Sequence, residues 1–264
     1  MKIAHECPID IFDKVEALTD YSYALVHLFE ENEAYYNKFV EAKNKGREII
    51  LDNSIFELGE SFDGEKYAKW IRKLQPTWYI VPDKLEDTNG TIKKLDDWFT
   101  QFTSEELGPS KPIGVIQGKT YNDIVKCYQT IEPAVDKVAI SFDYSWYREG
   151  GEGISKWQDY VDGRIYLIEK LFQNNVINVH KPHHLLGCAL PQEFQHYKGE
   201  KYSWIDSIDT SNPVVAGMHY VRYTETGLND KITTKLCDLI DAQLDTKQVK
   251  TVLYNISKFK SFCR

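Results

Sequence analysis

The chain has 264 residues, of which 42% are hydrophobic and 27% charged, a balance that suits a packed core under a wet surface. Its net charge of −8 excludes wholesale non-specific nucleic-acid binding, which relies on neutralising phosphates with Lys and Arg. No apolar run reaches the length of a membrane span, and the N-terminal MKIAHECPID lacks a signal-peptide core, so a cytoplasmic protein is expected.

In chain order, the candidate strands are YALVHLF (23–29), EIILDN (48–53), TWYIVPD (77–83), PIGVIQG (112–118), KVAISF (137–142), HHLLGCA (183–189) and YSWIDSID (202–209). They are short and apolar on both faces, as strands covered on both sides should be. Helical patterns intervene: NEAYYNKFVEAKNKG, GEKYAKWIRKLQ, GTIKKLDDWFTQF, TYNDIVKCYQTI and SKWQDYVDGRIYLIEKLFQNN. Apolar residues recur there at three- and four-residue spacing, as in Tyr67, Trp70, Ile71 and Leu74. Gly46 and Pro76 punctuate helix ends, and Asn122-Asp123 lie near a helix start.

Strand–helix alternation implies parallel strands joined by right-handed crossovers. Seven visible strands, with an eighth hidden near the N-terminus or after residue 212, predict an α/β fold of the (β/α)8 TIM-barrel type, a single domain over 1–264. A helical region at about 228–264 is expected to pack on the barrel or extend it. A doubly wound open sheet is the alternative, but no G-x-G-x-x-G follows the first strand.

The five cysteines (Cys7, Cys127, Cys188, Cys237 and Cys263) lie far apart without a C-x-x-C pair, so reduced thiols are expected rather than disulfides or a zinc site. The cluster HKPHH (180–184) has no carboxylate at ligand spacing. No metal is assigned to it: His184 is expected to pack at a strand start, with His180 and His183 exposed. The C-terminal Lys247, Lys250, Lys258, Lys260 and Arg264 read as a solvated helix face, the sharper alternative being a surface for a nucleic-acid backbone.

In a (β/α)8 barrel the chemistry gathers where strands end. The candidate strands end in Asp52-Asn53-Ser54, Val81-Pro82-Asp83, Gln117-Gly118, Ile140-Ser141-Phe142, Leu186-Gly187 and Asp206-Ser207-Ile208-Asp209. A single Asp there is as readily a helix cap, but carboxylates and amides on several strand ends together point to chemistry. Asp206 and Asp209 differ by three positions and so point to opposite faces of an extended strand. Two carboxylates would supply the nucleophile and the proton manager of a displacement at a sugar carbon. Neither G-x-S-x-G nor a phosphate loop is present.

These strand ends, taken in order over residues 48–213, resemble the tRNA-guanine transglycosylase superfamily, which includes enzymes that insert 7-deazaguanines into DNA. DNSIFE looks like its D-S-G-G-F-Q motif, matching at Asp52 and Phe56. VPD supplies Asp83, GVIQG matches G-[IV]-[VI]-Q-G, HHLLG resembles H-L-L-G, and DSID matches D-x-[FVI]-D. The resemblance implies Asp209 as nucleophile, Asp52 as general acid/base, and Asp83, Gln117 and the Gly118 backbone as readers of the guanine edge. Asn53 and Gly187 lie inside the matched motifs. Ser141 stands where the family's G-G-L-[AS]-x-G-E is not recognisable, and all three are expected at the substrate site. The family's C-x-C-x-x-C…H zinc site is missing, which favours DNA over tRNA as partner and leaves no metal and no cofactor.

Tyr144, Trp146 and Tyr147 are expected either to stack on bases or to pack. SWYREGGEG, with Gly150, Gly151 and Gly153, reads as a mobile loop, and Arg148 or Arg222 as a phosphate ligand. The alternatives are a tRNA-acting member, a base-releasing N-glycosidase, a non-catalytic nucleic-acid-binding homologue, and an aldolase, for which the strand ends offer no lysine. The oligomeric state is left open.

Overall fold

The computed structural model describes residues 1–150 and 155–264. Its strands are β1 (Lys2–Ala4), β2 (Ser22–Leu25), β3 (Ile49–Asp52), β4 (Trp78–Ile80), β5 (Lys111–Val115), β6 (Lys137–Ser141), β7 (His183–Leu186) and β8 (Ile205–Asp209). They form one sheet in the order β1-β8-β7-β6-β5-β4-β3-β2, a parallel (β/α)8 barrel. The hidden eighth strand is therefore β1, at the N-terminus.

The helices are α1 (Phe12–Glu16), α2 (Val26–Glu31), α3 (Glu33–Asn44), α4 (Ile55–Leu58), α5 (Gly64–Leu74) and α6 (Thr88–Gln101). They continue as α7 (Ser104–Leu107), α8 (Tyr121–Ile131), α9 (Lys156–Gln173), α10 (Asn212–Met218) and α11 (Thr246–Cys263). The long helices begin where the sequence supplies a capping side chain. Asp63, Asp87, Thr120 and Ser155 each accept a hydrogen bond from a first-turn N–H, satisfying donors that a helix start leaves bare.

The chain separates into two compact units. One comprises residues 21–140 and 181–183. In it β2 to β5 and most of β6 lie under amphipathic helices, with α5 burying Tyr67, Ala68, Trp70, Ile71 and Leu74. Phe29 of α2 meets Tyr36, Phe39 and Trp70 at ring separations of 5.2, 5.6 and 5.4 Å. The other unit comprises residues 1–20, 141–180 and 184–264. There β1 and β8 pair with Ala4 opposite Asp209, and α11 packs Phe259 against Phe194 at 5.1 Å.

Three expectations need correction. YALVHLF is a strand only over Ser22–Leu25, and Val26 onward is helix. An apolar run carries no period to tell the two apart, and here the side chains after Leu25 find their partners in the aromatic layer of α3 and α5. The strands β3, β4 and β5 also stop short of their expected ends, because Asn53, Asp83 and Gln117 turn to side-chain and loop partners instead of the ladder, whereas β8 runs to Asp209 as expected. The C-terminal region expected to be helical over 228–264 is so only at Leu236–Leu239 and Thr246–Cys263.

Candidate functional site

In the first unit, β2 and β3 run in register with Leu25 opposite Asp52. Tyr23 is two residues before Leu25, on the same face, and donates its hydroxyl to Asp52 Oδ2 at 2.6 Å. The other carboxylate oxygen, Oδ1, accepts from the Ser54 N–H at 2.5 Å. That N–H reaches back because Ser54 is left-handed, with φ 60°, a conformation that costs a non-glycine residue about 1–2 kcal/mol. Both oxygens of Asp52 are thereby oriented.

Asn53, fully buried, joins β3 to β4. Its amide donates to the Val81 carbonyl at 3.1 Å and to Asp83 Oδ1 at 2.8 Å, and its own oxygen accepts from the Ile55 N–H. The second oxygen of Asp83 accepts from Gln117 Nε2 at 2.7 Å. Gln117 Oε1 in turn accepts from the Glu86 N–H at 2.9 Å, which fixes which end of the amide faces Asp83. Glu86 is also left-handed, at φ 53°. Burial pushes the Asp83 pKa up, and the bonds from Asn53 and Gln117 pull partly against it. Gly118 serves close packing: a Cβ there would lie 2.6 Å from Asp123 Cβ and 3.0 Å from the Ile124 nitrogen.

In the second unit, β7 and β8 build a different cluster. Ser207 and Asp209, two apart on one face of β8, clamp the imidazole of His184. Ser207 Oγ and His184 Nδ1 are 2.9 Å apart, as are His184 Nε2 and Asp209 Oδ1. A carboxylate only accepts, so Nε2 carries the proton and Nδ1 accepts from the serine hydroxyl. The Gly187 N–H also approaches Asp209 Oδ1, at 3.4 Å, which leaves Oδ2 without a hydrogen-bond partner among the described residues. The order hydroxyl, imidazole, carboxylate is that of a serine hydrolase relay. Here the hydroxyl is spent on Nδ1, and Ser207 anchors the ring.

The loop after β7 is fixed from beneath. Arg164 of α9 makes a bidentate ion pair with Glu193, at 2.6 and 2.9 Å, and donates to the carbonyls of Leu186 and Gly187. Lys231 reaches the same loop, donating to the Cys188 carbonyl at 2.7 Å with its ammonium 3.8 Å from the Phe142 ring centroid. Burial lowers its pKa to about 8. Ser141 turns its hydroxyl to Asp143 at 2.6 Å.

The structure thus joins Asn53, Asp83 and Gln117 in one network, orients Asp52 beside it, and ties Gly187 to Asp209. Asp206 faces the other way, 4.0 Å from Lys2. The histidine expectations need revision. His183 is buried, accepting from the Tyr128 hydroxyl and donating to the Lys181 carbonyl, and His184 binds Asp209 beyond mere packing. Tyr144 and Tyr147 are buried against each other at 5.2 Å, which makes them packing residues. Arg222 stacks on Tyr254 at 3.5 Å. The C-terminal cations Lys258 and Arg264 pair with Glu225 and Asp20. Gly151 and Gly153 of the glycine-rich loop lie outside the described residues. All five cysteines are free thiols. Among the described residues no group of three or more His, Cys, Asp or Glu is placed to hold a metal, and no helix is long and apolar enough to cross a membrane.

Sequence reasoning missed Tyr23, His184, Glu86 and the Arg164–Glu193 pair. Tyr23 and His184 carried a faint signal, each being a polar-tipped residue inside an apolar strand.

The fold is a (β/α)8 barrel whose strand ends carry two oriented carboxylate clusters, each within its own unit. No family model and no curated protein matches the chain. Among solved structures it is similar to KGPDC from Streptococcus mutans, with a TM-score of 0.51 and 8% identity over 99% of this chain and 98% of that one. A mutant methylaspartate ammonia lyase from Clostridium tetanomorphum gives a TM-score of 0.45 and 11% identity, over 99% of this chain and 60% of that one. At 8% identity the likeness to KGPDC speaks for the fold alone.

Proposed function

We propose that the protein is a base-exchange transglycosylase, replacing guanine in a nucleic acid, DNA in preference to tRNA, with a 7-deazaguanine. The observation that carries the reading is the fixed pairing of Asp83 with Gln117. A guanine edge presents N–H donors at N1 and N2 beside an acceptor at O6. A carboxylate next to an amide whose oxygen is held by the Glu86 N–H, so that its N–H2 end faces the carboxylate, is its complement. The order of Asp52, Asp83, Gln117, Gly187 and Asp209 along the chain, the order the resemblance rests on, supports it further.

The roles are those the resemblance implies, on a nucleotide extruded from its stack. Asp209 Oδ2 attacks C1′, the C1′–N9 bond breaks with its electron pair leaving on guanine, and a glycosyl ester of Asp209 remains. Gln117 stabilises the charge developing at O6, and a proton from Asp52 neutralises the departing base. Asp52 then takes the N9 proton of the incoming 7-deazaguanine, whose nitrogen attacks C1′ and expels the Asp209 carboxylate. Two displacements give retention at C1′. His184 positions the nucleophile by holding Oδ1.

The test is label exchange. The protein and its Asp209→Asn variant receive duplex DNA, single-stranded DNA or tRNA, each with labelled guanine or 7-cyano-7-deazaguanine. Label entering DNA with the parent protein and not with the variant is the expected result. Entry into tRNA alone would move the substrate. No entry into any of them, with no covalent adduct on a denaturing gel, would end the proposal.

A further inference from the structure

Beside the Asp83–Gln117 pair, within the first unit, the loops after β4 and β5 enclose an open cavity of about 460 Å³ that the base-reading chemistry does not use. Three lysines line it: Lys84, next in sequence to Asp83, Lys119, next to Gly118, and Lys126 on the first turns of α8. The first residues of α6, Thr88 and Asn89, form another part of its wall. The wall is also the support of Gln117, since the Glu86 N–H holds its amide oxygen and Thr88 Oγ1 donates to its carbonyl at 2.7 Å. A ligand in the cavity therefore sits one residue away from the proposed base reader.

The charges there are arranged unevenly. Asp87 caps α6 through the Gly90 N–H and pairs with Lys84 at 2.9 Å, and Asp123 accepts from Thr120 at 2.9 Å. Lys126 is held over the cavity by Asn89, a neutral amide, at 2.8 Å. Lys119 makes no hydrogen bond or ion pair among the described residues, and its charge helps hold the Asp87 pKa down. Three ammonium groups against Asp87, Asp123 and Glu86 balance in formal charge, and the start of α6 adds a positive dipole end. Such a lining suits a singly charged anion better than a doubly charged one.

We propose that this cavity binds a backbone phosphodiester flanking the target nucleotide, with Lys119 and Lys126 as its principal ligands. The inference rests on the base-exchange reading and adds to it the place where the strand is gripped. A phosphodiester carries one negative charge, whereas free phosphate and terminal monoesters approach two, so an internal linkage is the form selected.

The experiment is fluorescence anisotropy of a labelled guanine-containing DNA oligonucleotide across a salt series, with the parent protein, Lys119→Ala, Lys126→Ala, the double variant and Lys250→Ala on α11. The double variant should bind roughly tenfold more weakly, with a slope of log K against log salt shallower by about one per lysine removed. Lys119→Arg should restore binding, and inorganic phosphate at millimolar concentration should not compete. Unchanged affinity and slope in a folded double variant that still exchanges base would overturn the phosphate site and leave the base-exchange reading standing. A larger loss in Lys250→Ala would move the grip to α11 and likewise overturn it. Failure of the parent protein to bind any oligonucleotide or exchange label would remove both.

Discussion

The Arg164–Glu193 pair gives the sharpest test of how the second unit is held together. Both side chains are buried, at 0% and 1% exposure. Burial alone lowers the guanidinium pKa, and the Glu193 carboxylate beside it more than reverses that, so the net displacement is upward. Glu193→Gln keeps the shape but removes the charge and turns an N–H2 toward an N–H of Arg164. The guanidinium is then a buried, uncompensated charge. Loss of one partner of such a pair costs about 3–5 kcal/mol, and the Tyr197 hydroxyl, which donates to Glu193 at 2.9 Å, weakens with it. At about 2 °C per kcal/mol for a chain of this length, Tm should fall by roughly 6–10 °C.

The double variant Arg164→Met/Glu193→Leu separates charge from hydrogen bonding. Where a buried pair does nothing but neutralise itself, an apolar replacement is neutral or stabilising. Here it would also strip the donors from the carbonyls of Leu186 and Gly187, at about 1–3 kcal/mol for each buried acceptor left bare. The double variant should therefore stay about 2 kcal/mol or more below the parent, yet above Glu193→Gln. Thermal melts and urea titrations measure both. A cost under about 1 kcal/mol for Glu193→Gln would refute the uncompensated-charge argument, and a double variant as stable as the parent would refute the role of the two carbonyls.

Other outcomes follow from neighbouring geometry. His5 and His183 are buried, and burial lowers the pKa of each to about 4, with a backbone carbonyl pulling partly the other way. The unfolded chain takes up these protons near pH 6.5, so stability is full above that value and falls as pH drops toward 4. The loss is about 1.4 kcal/mol per pH unit for each histidine. Urea titrations at pH 7.5 and 5 read it, and His183→Gln should remove about half of the slope; an unchanged slope would mean that carboxylates set it. Gly187→Ala must hold φ +62° and place a Cβ 2.5 Å from the Phe142 ring. It should cost about 2–4 kcal/mol, which a melt would show, and base exchange should slow with it as the N–H beside Asp209 shifts. Tyr23→Phe removes the hydroxyl on Asp52 Oδ2 and should cost about 1.5–3 kcal/mol. If kcat falls with little change in KM, the loss is in Asp52 chemistry; a change in stability alone would leave Tyr23 a purely structural residue.

Strand ends were legible because each strand is a short apolar run closed by polar residues, and a run of that kind is a local property. Asp52, Asp83, Gln117 and Asp209 were found that way. Their partners were not, because partnership depends on register between strands. His184 lies 25 positions from Asp209 and meets it only because β7 and β8 are neighbours with those side chains on one face. Tyr23 meets Asp52 by the same device, from β2. Arg164 and Glu193 come from a helix and a loop 29 positions apart, and nothing local marks either as buried.

Backbone conformation hides a second layer. Of the five left-handed residues other than glycine among the described residues, two sit at the first cluster, Ser54 and Glu86, and each turns its N–H inward, to Asp52 and to Gln117. Strain of this kind persists only where surrounding contacts over-determine it. Ser54 shows how: its hydroxyl accepts from the His27 N–H at 3.3 Å, a bond that glycine would lack. The segment DNSIFE therefore keeps a turn that glycine would adopt freely, but holds it with a side chain. A search keyed to glycine passes over such a segment, although the N–H it delivers to the carboxylate is the same.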